Sequence, residues 1–189
     1  RYRNAIEHAV SLFHFHEKKE PVSFAPVFQP LLGPIDHAAE ALLLSRLADD
    51  IPAEAEAQRH FFEPDLSPAK RKHPKYLADK ASLLKRLLVY RSPVMPTGLL
   101  SFCLDYAGNS TVPLAGIFAS IRSRLADLES TGLQELVDSV YNFRNTYIAH
   151  EKQETLNKAA DAREALNTWL QTLLLLYRTR YAVLPARDT

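Results

Sequence analysis

One short segment, residues 143–151, places a permanent cation, an amide and an imidazole close together in the chain. Arg144 stays protonated, and its guanidinium donates paired N–H bonds that suit phosphate oxygens. His150 carries a group that exchanges a proton near neutral pH. Because the ribose 2′-hydroxyl can itself act as the nucleophile, such groups form a minimal set for cleaving RNA without a metal.

The spacing of Arg144 and His150 limits how one helix can bring them together. Side chains six positions apart on an ideal helix point roughly 120° apart and lie about 9 Å apart along the axis. A straight helix therefore does not bring the two side chains together. Either the helix ends near His150 and its last turn redirects the imidazole, or residues from a second copy complete the site.

A second match to the same loose pattern opens the chain, where Arg3 precedes His8. Glu7 stands directly before this histidine, whereas Arg144 follows the apolar-rich segment 140–143. We interpret the first match as an exposed helix face and the second as the candidate site.

Arg144, Asn145 and His150 together resemble the Arg-x(4–6)-His motif of the HEPN superfamily. In that family the motif lies in the penultimate long helix, and two such helices pair about a two-fold axis. The resemblance covers roughly the last 80 residues. It implies that Arg144 binds the scissile phosphate and stabilises its developing charge. His150 would act as general base toward the 2′-hydroxyl or as acid toward the leaving oxygen.

The same resemblance gives supporting roles to two further residues. Asn145 is expected to orient one of the reacting groups or the phosphate, and Tyr147 to stack on RNA or to bond to it. The expected products are a 2′,3′-cyclic phosphate and a 5′-hydroxyl. No cofactor and no metal are implied.

The function implied is that of a metal-independent endoribonuclease domain for single-stranded RNA, acting as a homodimer. Such domains serve as effectors in antiviral defence or toxin–antitoxin systems, within larger cytoplasmic proteins. An alternative is a non-catalytic HEPN-like module for nucleotide or RNA binding, or for dimerisation, in a multidomain protein. A third interpretation is a sensor or accessory domain joined to a helicase or nuclease.

A dense run of basic residues lies between two predicted helices: Lys70, Arg71, Lys72 and Lys75. Such runs are ordinarily solvated loops. The functional alternative is a patch that follows RNA phosphates, with Tyr76 as a stacking ring. We therefore add these four basic residues to the candidate RNA-binding set.

The remaining candidate metal ligands do not form a convincing site. His14 and His16 are two positions apart, so on a helix they point to nearly opposite sides and cannot chelate one ion. Cys103 is the single cysteine, which argues against structural zinc and excludes an internal disulfide. A lone cysteine in an apolar context fits a reducing cytoplasm.

Composition and charge narrow the class of protein further. The formal net charge is +1, so any affinity for nucleic acid must come from local patches. No apolar run approaches the length of a membrane span, and no signal-peptide pattern opens the chain. The chain starts without methionine inside a predicted helix, which favours a fragment of a larger protein.

Apolar residues at helical spacing predict an all-α helical bundle, HEPN-like with extra N-terminal helices. The prediction is one domain, with residues 1–110 unassigned and 111–184 forming the HEPN-like core. After an irregular connection over 19–33, Pro34 is expected to start the second helix. The other predicted helices cover 2–18, 52–62, 76–91, 97–106, a segment from Pro113 through Leu128, 132–150 and 156–182. The last two helices are expected to bury Leu136, Val140, Leu166, Trp169, Leu170 and Leu173, and the final helix also carries Leu174 and Tyr177.

Overall fold

The computed structural model describes residues 2–19, 23–67, 74–109, 114–149 and 155–181. Within these ranges the regular structure is helical throughout, which confirms the prediction of an all-α helical bundle. The helices are α1 (Arg3–Glu17), α2 (Gln29–Leu47), α3 (Ala55–Phe62), α4 (Pro74–Leu88), α5 (Pro96–Asn109), α6 (Ile117–Leu125), α7 (Leu133–Tyr147) and α8 (Ala159–Tyr181). None of these helices has the length and hydropathy needed to cross a lipid bilayer.

The chain divides into two compact units. The first unit joins residues 1–38 to residues 135–189, and the second unit is continuous over residues 39–134. Helix α1 packs against α8 in the first unit. The N-terminal segment therefore shares a unit with the motif, whereas the predicted core began at residue 111. The prediction of a single domain stays a prediction.

Helix α2 begins earlier than its prolines predict. It starts at Gln29, so Pro30 lies in the first turn and Pro34 lies inside the helix. Pro34 has no N–H to donate to the preceding turn, at a cost on the order of 3 kcal/mol. The added turn buries Leu31, which is 0% exposed. The prediction that Pro34 starts the helix is wrong, because the helix begins one turn earlier, where burial of Leu31 offsets the proline cost by about 1.5–3 kcal/mol.

The first unit has an aromatic core formed by Phe28, Phe143 and Trp169. The ring centroid of Phe28 lies 4.4 Å from that of Phe143 and 5.1 Å from that of Trp169. Trp169 is 1% exposed, which confirms its predicted burial. The three residues come from a 3₁₀ helix over Ala25–Phe28, from α7 and from α8. Their contacts fix the C-terminal half of α7 against α8.

The buried face of α8 differs from the predicted one. Leu166, Trp169 and Leu173 are buried as expected, but Leu174 and Tyr177 are 50% and 48% exposed. These two apolar residues lie outside the buried face, which a run of four leucines at 173–176 does not define because it carries no periodic signal. The face continues instead through residues that were not predicted as core: Thr172 and Leu176. Of the other predicted core residues, Val140 is buried, whereas Leu136 and Leu170 are half-buried.

The second unit is built on leucine and isoleucine stripes that the sequence predicts well. The leucines and isoleucines at helical spacing on α4, α6 and the turn after α6 are buried: Leu77, Leu84, Leu87, Leu88, Ile117, Ile121, Leu125 and Leu128. Cys103 on α5 is fully buried as expected. Because each stripe follows helical spacing over several turns, local sequence is sufficient to identify it.

Two arginines join α6 and the turn after it to the end of α2. Arg124 Nε donates to Asp50 Oδ2 at 3.0 Å, and Arg46 Nη1 donates to both carboxylate oxygens of Asp127 at 3.0 and 3.1 Å. The hydrogen bond from Arg124 is the main reason why the pKa of Asp50 lies below its ordinary value. These ion pairs lie within the second unit.

Gly116 sits at the start of α6 with a φ of +60°, a conformation that L side chains rarely adopt. A Cβ atom at this position would lie 2.2 Å from the carbonyl oxygen of Phe61. Glycine is therefore required here both by the backbone conformation and by the close approach of α3.

Candidate functional site

Helix α7 ends inside the motif, at Tyr147. The carbonyl oxygen of Arg144 accepts hydrogen bonds from the backbone N–H groups of Ile148 and Ala149, each at 2.9 Å. A bond from the residue five positions ahead means that the chain leaves the α-helical path before position 150. One of the two arrangements predicted for the motif requires the helix to end near His150. The helix does end there, at Tyr147, three residues earlier than predicted. His150 itself lies outside the described residues.

Arg144 is held by a carboxylate from α2. Its Nη1 donates to Oδ2 of Asp36 at 2.8 Å. The two side chains are only 21% and 24% exposed, so water screens this pair less than a surface pair. A guanidinium has five N–H donors, so a phosphate can be bound beside the carboxylate. The pair thus fixes the position of the charge that the motif assigns to phosphate binding.

Asn145 and Tyr147 are the other described residues with a predicted role, and both are half-buried. The ring centroid of Tyr147 lies 4.7 Å from that of Phe143, at an interplanar angle of 47°. Tyr147 therefore extends the aromatic core toward the end of α7. Its contact with RNA and the orienting role of Asn145 stay predictions.

A cavity of about 300 Å³ lies between α7 and α8, beside Tyr147. Phe143, Tyr147 and Trp169 contribute aromatic side chains, and Asp161 and Glu164 contribute carboxylates from the first turns of α8. The indole N–H of Trp169 has no hydrogen-bond partner among the described residues. Sequence reasoning missed this cavity, because acidic residues in the first turns of a helix are usual for their effect on the helix dipole.

The predicted basic cluster is described only in part. Lys75 is exposed in the first turn of α4, whereas Lys70, Arg71 and Lys72 lie outside the described residues. The neighbouring Tyr76 is 50% exposed. Lys75 belongs to the second unit and Arg144 to the first. RNA binding by the cluster stays a prediction.

The alternative motif match at the N-terminus has the geometry of a solvated helix face. Arg3 Nε donates to Glu7 Oε1 at 2.7 Å, and the Arg3 side chain is 85% exposed. His8 is also exposed. Arg3 and His8 therefore serve as controls for Arg144 and His150, because the residue types are the same.

The histidines and carboxylates of the described ranges do not gather into a metal site. No three His, Cys, Asp or Glu side chains gather there in a way that could hold an ion. His14 is exposed and lies 3.7 Å from a carboxylate oxygen of Glu17, while the ring of His16 faces Phe24 at 6.2 Å. Both histidines therefore make local contacts at the end of α1.

Comparisons with known proteins do not extend the assignment. No protein-family model, curated protein or solved structure matches the chain. The resemblance to the HEPN superfamily therefore depends on the motif and on its position at the end of a long helix. The function of the site follows as a proposal.

Proposed function

We propose that the chain is a HEPN-like endoribonuclease domain that cleaves single-stranded RNA without a metal. The proposal is supported above all by Arg144, whose guanidinium is held by Asp36 at 2.8 Å at the end of the motif helix. In this proposal the domain acts as a homodimer within a larger cytoplasmic protein, as an effector in antiviral defence or a toxin–antitoxin system.

The role of Arg144 concerns the negative charge that develops on the phosphate during cleavage. When the 2′-oxygen attacks phosphorus, negative charge builds up on the non-bridging phosphate oxygens, and a fixed cation beside them lowers the barrier. The ion pair with Asp36 holds the guanidinium in one place before RNA binds. The side chain therefore loses little conformational entropy when the transition state forms. Asp36 is thus a positioning residue in this mechanism.

The proton transfers fall to His150. It accepts the proton of the 2′-hydroxyl, or it donates a proton to the departing 5′-oxygen. The new 2′-oxygen–phosphorus bond replaces the phosphorus–5′-oxygen bond, which leaves a 2′,3′-cyclic phosphate and a 5′-hydroxyl. Asn145 orients one of these groups or the phosphate.

A non-catalytic HEPN-like binding or dimerisation module is the second candidate, and the same ion pair favours it. An arginine whose charge is balanced by a half-buried carboxylate already has a structural role, which is to join α2 to α7. In that case the domain binds nucleotide, RNA or another protein domain and leaves RNA intact.

RNA cleavage in the presence of EDTA separates the two candidates. We expect the protein to cleave labelled single-stranded RNA, His150→Ala to abolish cleavage, and Arg144→Ala to slow it by about 100-fold or more. Arg3→Ala and His8→Ala are the matched controls, and both should cleave at the rate of the unmodified protein. A 2′-O-methyl group at the cut site should block the reaction, because the nucleophile is removed.

Two outcomes would contradict the proposed mechanism. One is cleavage that requires Mg²⁺, and the other is cleavage that persists after His150→Ala. If the unmodified protein binds RNA or nucleotide and does not cleave it, the binding module is the better assignment.

A further inference from the structure

The cavity between α7 and α8 combines aromatic and acidic side chains in a way that the proposed ribonuclease mechanism does not use. Three aromatic residues, Phe143, Tyr147 and Trp169, line it from two helices. Asp161 and Glu164 are three positions apart on α8, so they lie on the same face of that helix. No lysine or arginine is among its described lining residues. The described lining of the cavity therefore combines two carboxylates with aromatic walls.

This combination of groups selects for one kind of ligand. A guanidinium is planar, packs on aromatic faces and donates paired N–H bonds to carboxylates. A phosphate would be repelled by two carboxylates, and a neutral nucleobase would leave their charge uncompensated. The volume of about 300 Å³ is at the small end for ligand pockets, which suits a side chain rather than a large cofactor.

We infer that this cavity binds an arginine side chain presented by a peptide segment of a partner protein. The guanidinium lies among the aromatic rings and is paired with Asp161 and Glu164. Since Tyr147 lies both in the cavity wall and in the motif, the bound partner touches the end of the motif helix. This inference does not depend on the ribonuclease proposal, because it concerns different side chains and a different ligand.

Trp169 is the single tryptophan of the chain and is among the residues that line the cavity, so its fluorescence provides one readout of occupancy. The probe is N-acetyl-arginine amide, and its control is N-acetyl-citrulline amide, which has nearly the same shape and no charge. At constant ionic strength we expect saturable binding of the arginine compound and at least tenfold weaker binding of the citrulline compound. Isothermal titration calorimetry provides a second readout of the same binding.

Substitutions on α8 test which groups hold the ligand. Asp161→Asn and Glu164→Gln should each weaken binding of the arginine compound by about tenfold. Glu56→Gln is the matched control, because Glu56 is an exposed carboxylate on α3 in the second unit. It should leave the dissociation constant unchanged.

Several results would overturn the inference. They are equal binding of the arginine and citrulline compounds, binding that survives both carboxylate substitutions, and no response in either readout at concentrations on the order of 10 mM. Tighter binding of guanosine than of the arginine compound would also overturn it, and would assign the cavity to a nucleobase of RNA.

Discussion

Alanine substitutions at Asp36 and Arg144, alone and together, distinguish a structural ion pair from a catalytic cation. The Arg144 Nη1–Asp36 Oδ2 distance is 2.8 Å, and the side chains are 21% and 24% exposed. Exposed pairs contribute about 0.2–1 kcal/mol, whereas removing one partner of a fully buried pair costs about 3–5 kcal/mol. This pair lies between those limits. We therefore expect each single substitution to lower the free energy of unfolding by about 1–3 kcal/mol.

The double substitution gives the interaction energy itself. Because the contact between Arg144 and Asp36 is already lost once either residue is removed, the two effects should not add. We expect a coupling energy of about 1–2 kcal/mol from urea unfolding of the four proteins, followed by the fluorescence of Trp169. A coupling energy near zero would refute the ion pair as a stabilising contact.

Cleavage rates of the same proteins separate the two functions. Asp36→Ala leaves the cation in place but frees it to move, so we expect a loss of about tenfold, against about 100-fold or more for Arg144→Ala. The assay uses the EDTA conditions described above, with each rate corrected for the folded fraction. If the two substitutions reduce the corrected rate equally, or not at all, Arg144 has no role beyond holding α2 and α7 together.

Three further predictions concern the stability and reactivity of the second unit. Gly116→Ala should lower the free energy of unfolding by more than about 2 kcal/mol, because φ is +60° and the new Cβ meets a backbone oxygen. Gly33→Ala is its control in urea unfolding, since open space surrounds that position and the change should stay within about 1 kcal/mol. Because Arg124 lowers the pKa of Asp50, this carboxylate stabilises the fold above about pH 4, and the contribution is lost as the pH falls through the lowered pKa. Asp50→Asn should remove this part of the acid destabilisation in urea unfolding at different pH values, and an unchanged pH profile would contradict the assignment. Burial raises the pKa of Cys103, so a thiol reagent should label it only in denaturant, and rapid labelling of the native protein would show that α5 opens.

The sequence predicts those parts of the fold that are decided within a few turns of helix. Leu77 and Leu84 identify the buried face of α4, because both their spacing and the polarity of their neighbours follow helical geometry. The start of α2 could not be predicted in this way. Its first turn buries Leu31, and burial depends on tertiary packing that the local preference at Pro34 does not indicate. In α8 the run of leucines at 173–176 left the register undetermined.

The sequence predicted which types of residue form the candidate site, but it did not predict which residues they contact. Arg144 and Tyr147 were identified from the motif alone. Asp36 stands 108 positions away from Arg144, and no feature of its local sequence marks it as the partner of that arginine. The cavity beside Tyr147 was missed for a similar reason, since it needs α7 and α8 side by side before Asp161 and the aromatic residues share a space.

The division of the first unit between two distant segments has a consequence for biosynthesis. Helix α1 leaves the ribosome before α8, against which it packs, because about 140 residues separate the end of α1 from the start of α8, and their synthesis takes roughly 7–28 s at ordinary rates of translation. During that interval the second unit, which is continuous in sequence, can complete its own core. During the same time the buried ring of Phe13 lacks the guanidinium of Arg163 on α8, which lies 5.7 Å from it in the folded protein. Chaperones that recognise apolar segments would therefore encounter α1 on the nascent chain before they encounter any other part of the first unit.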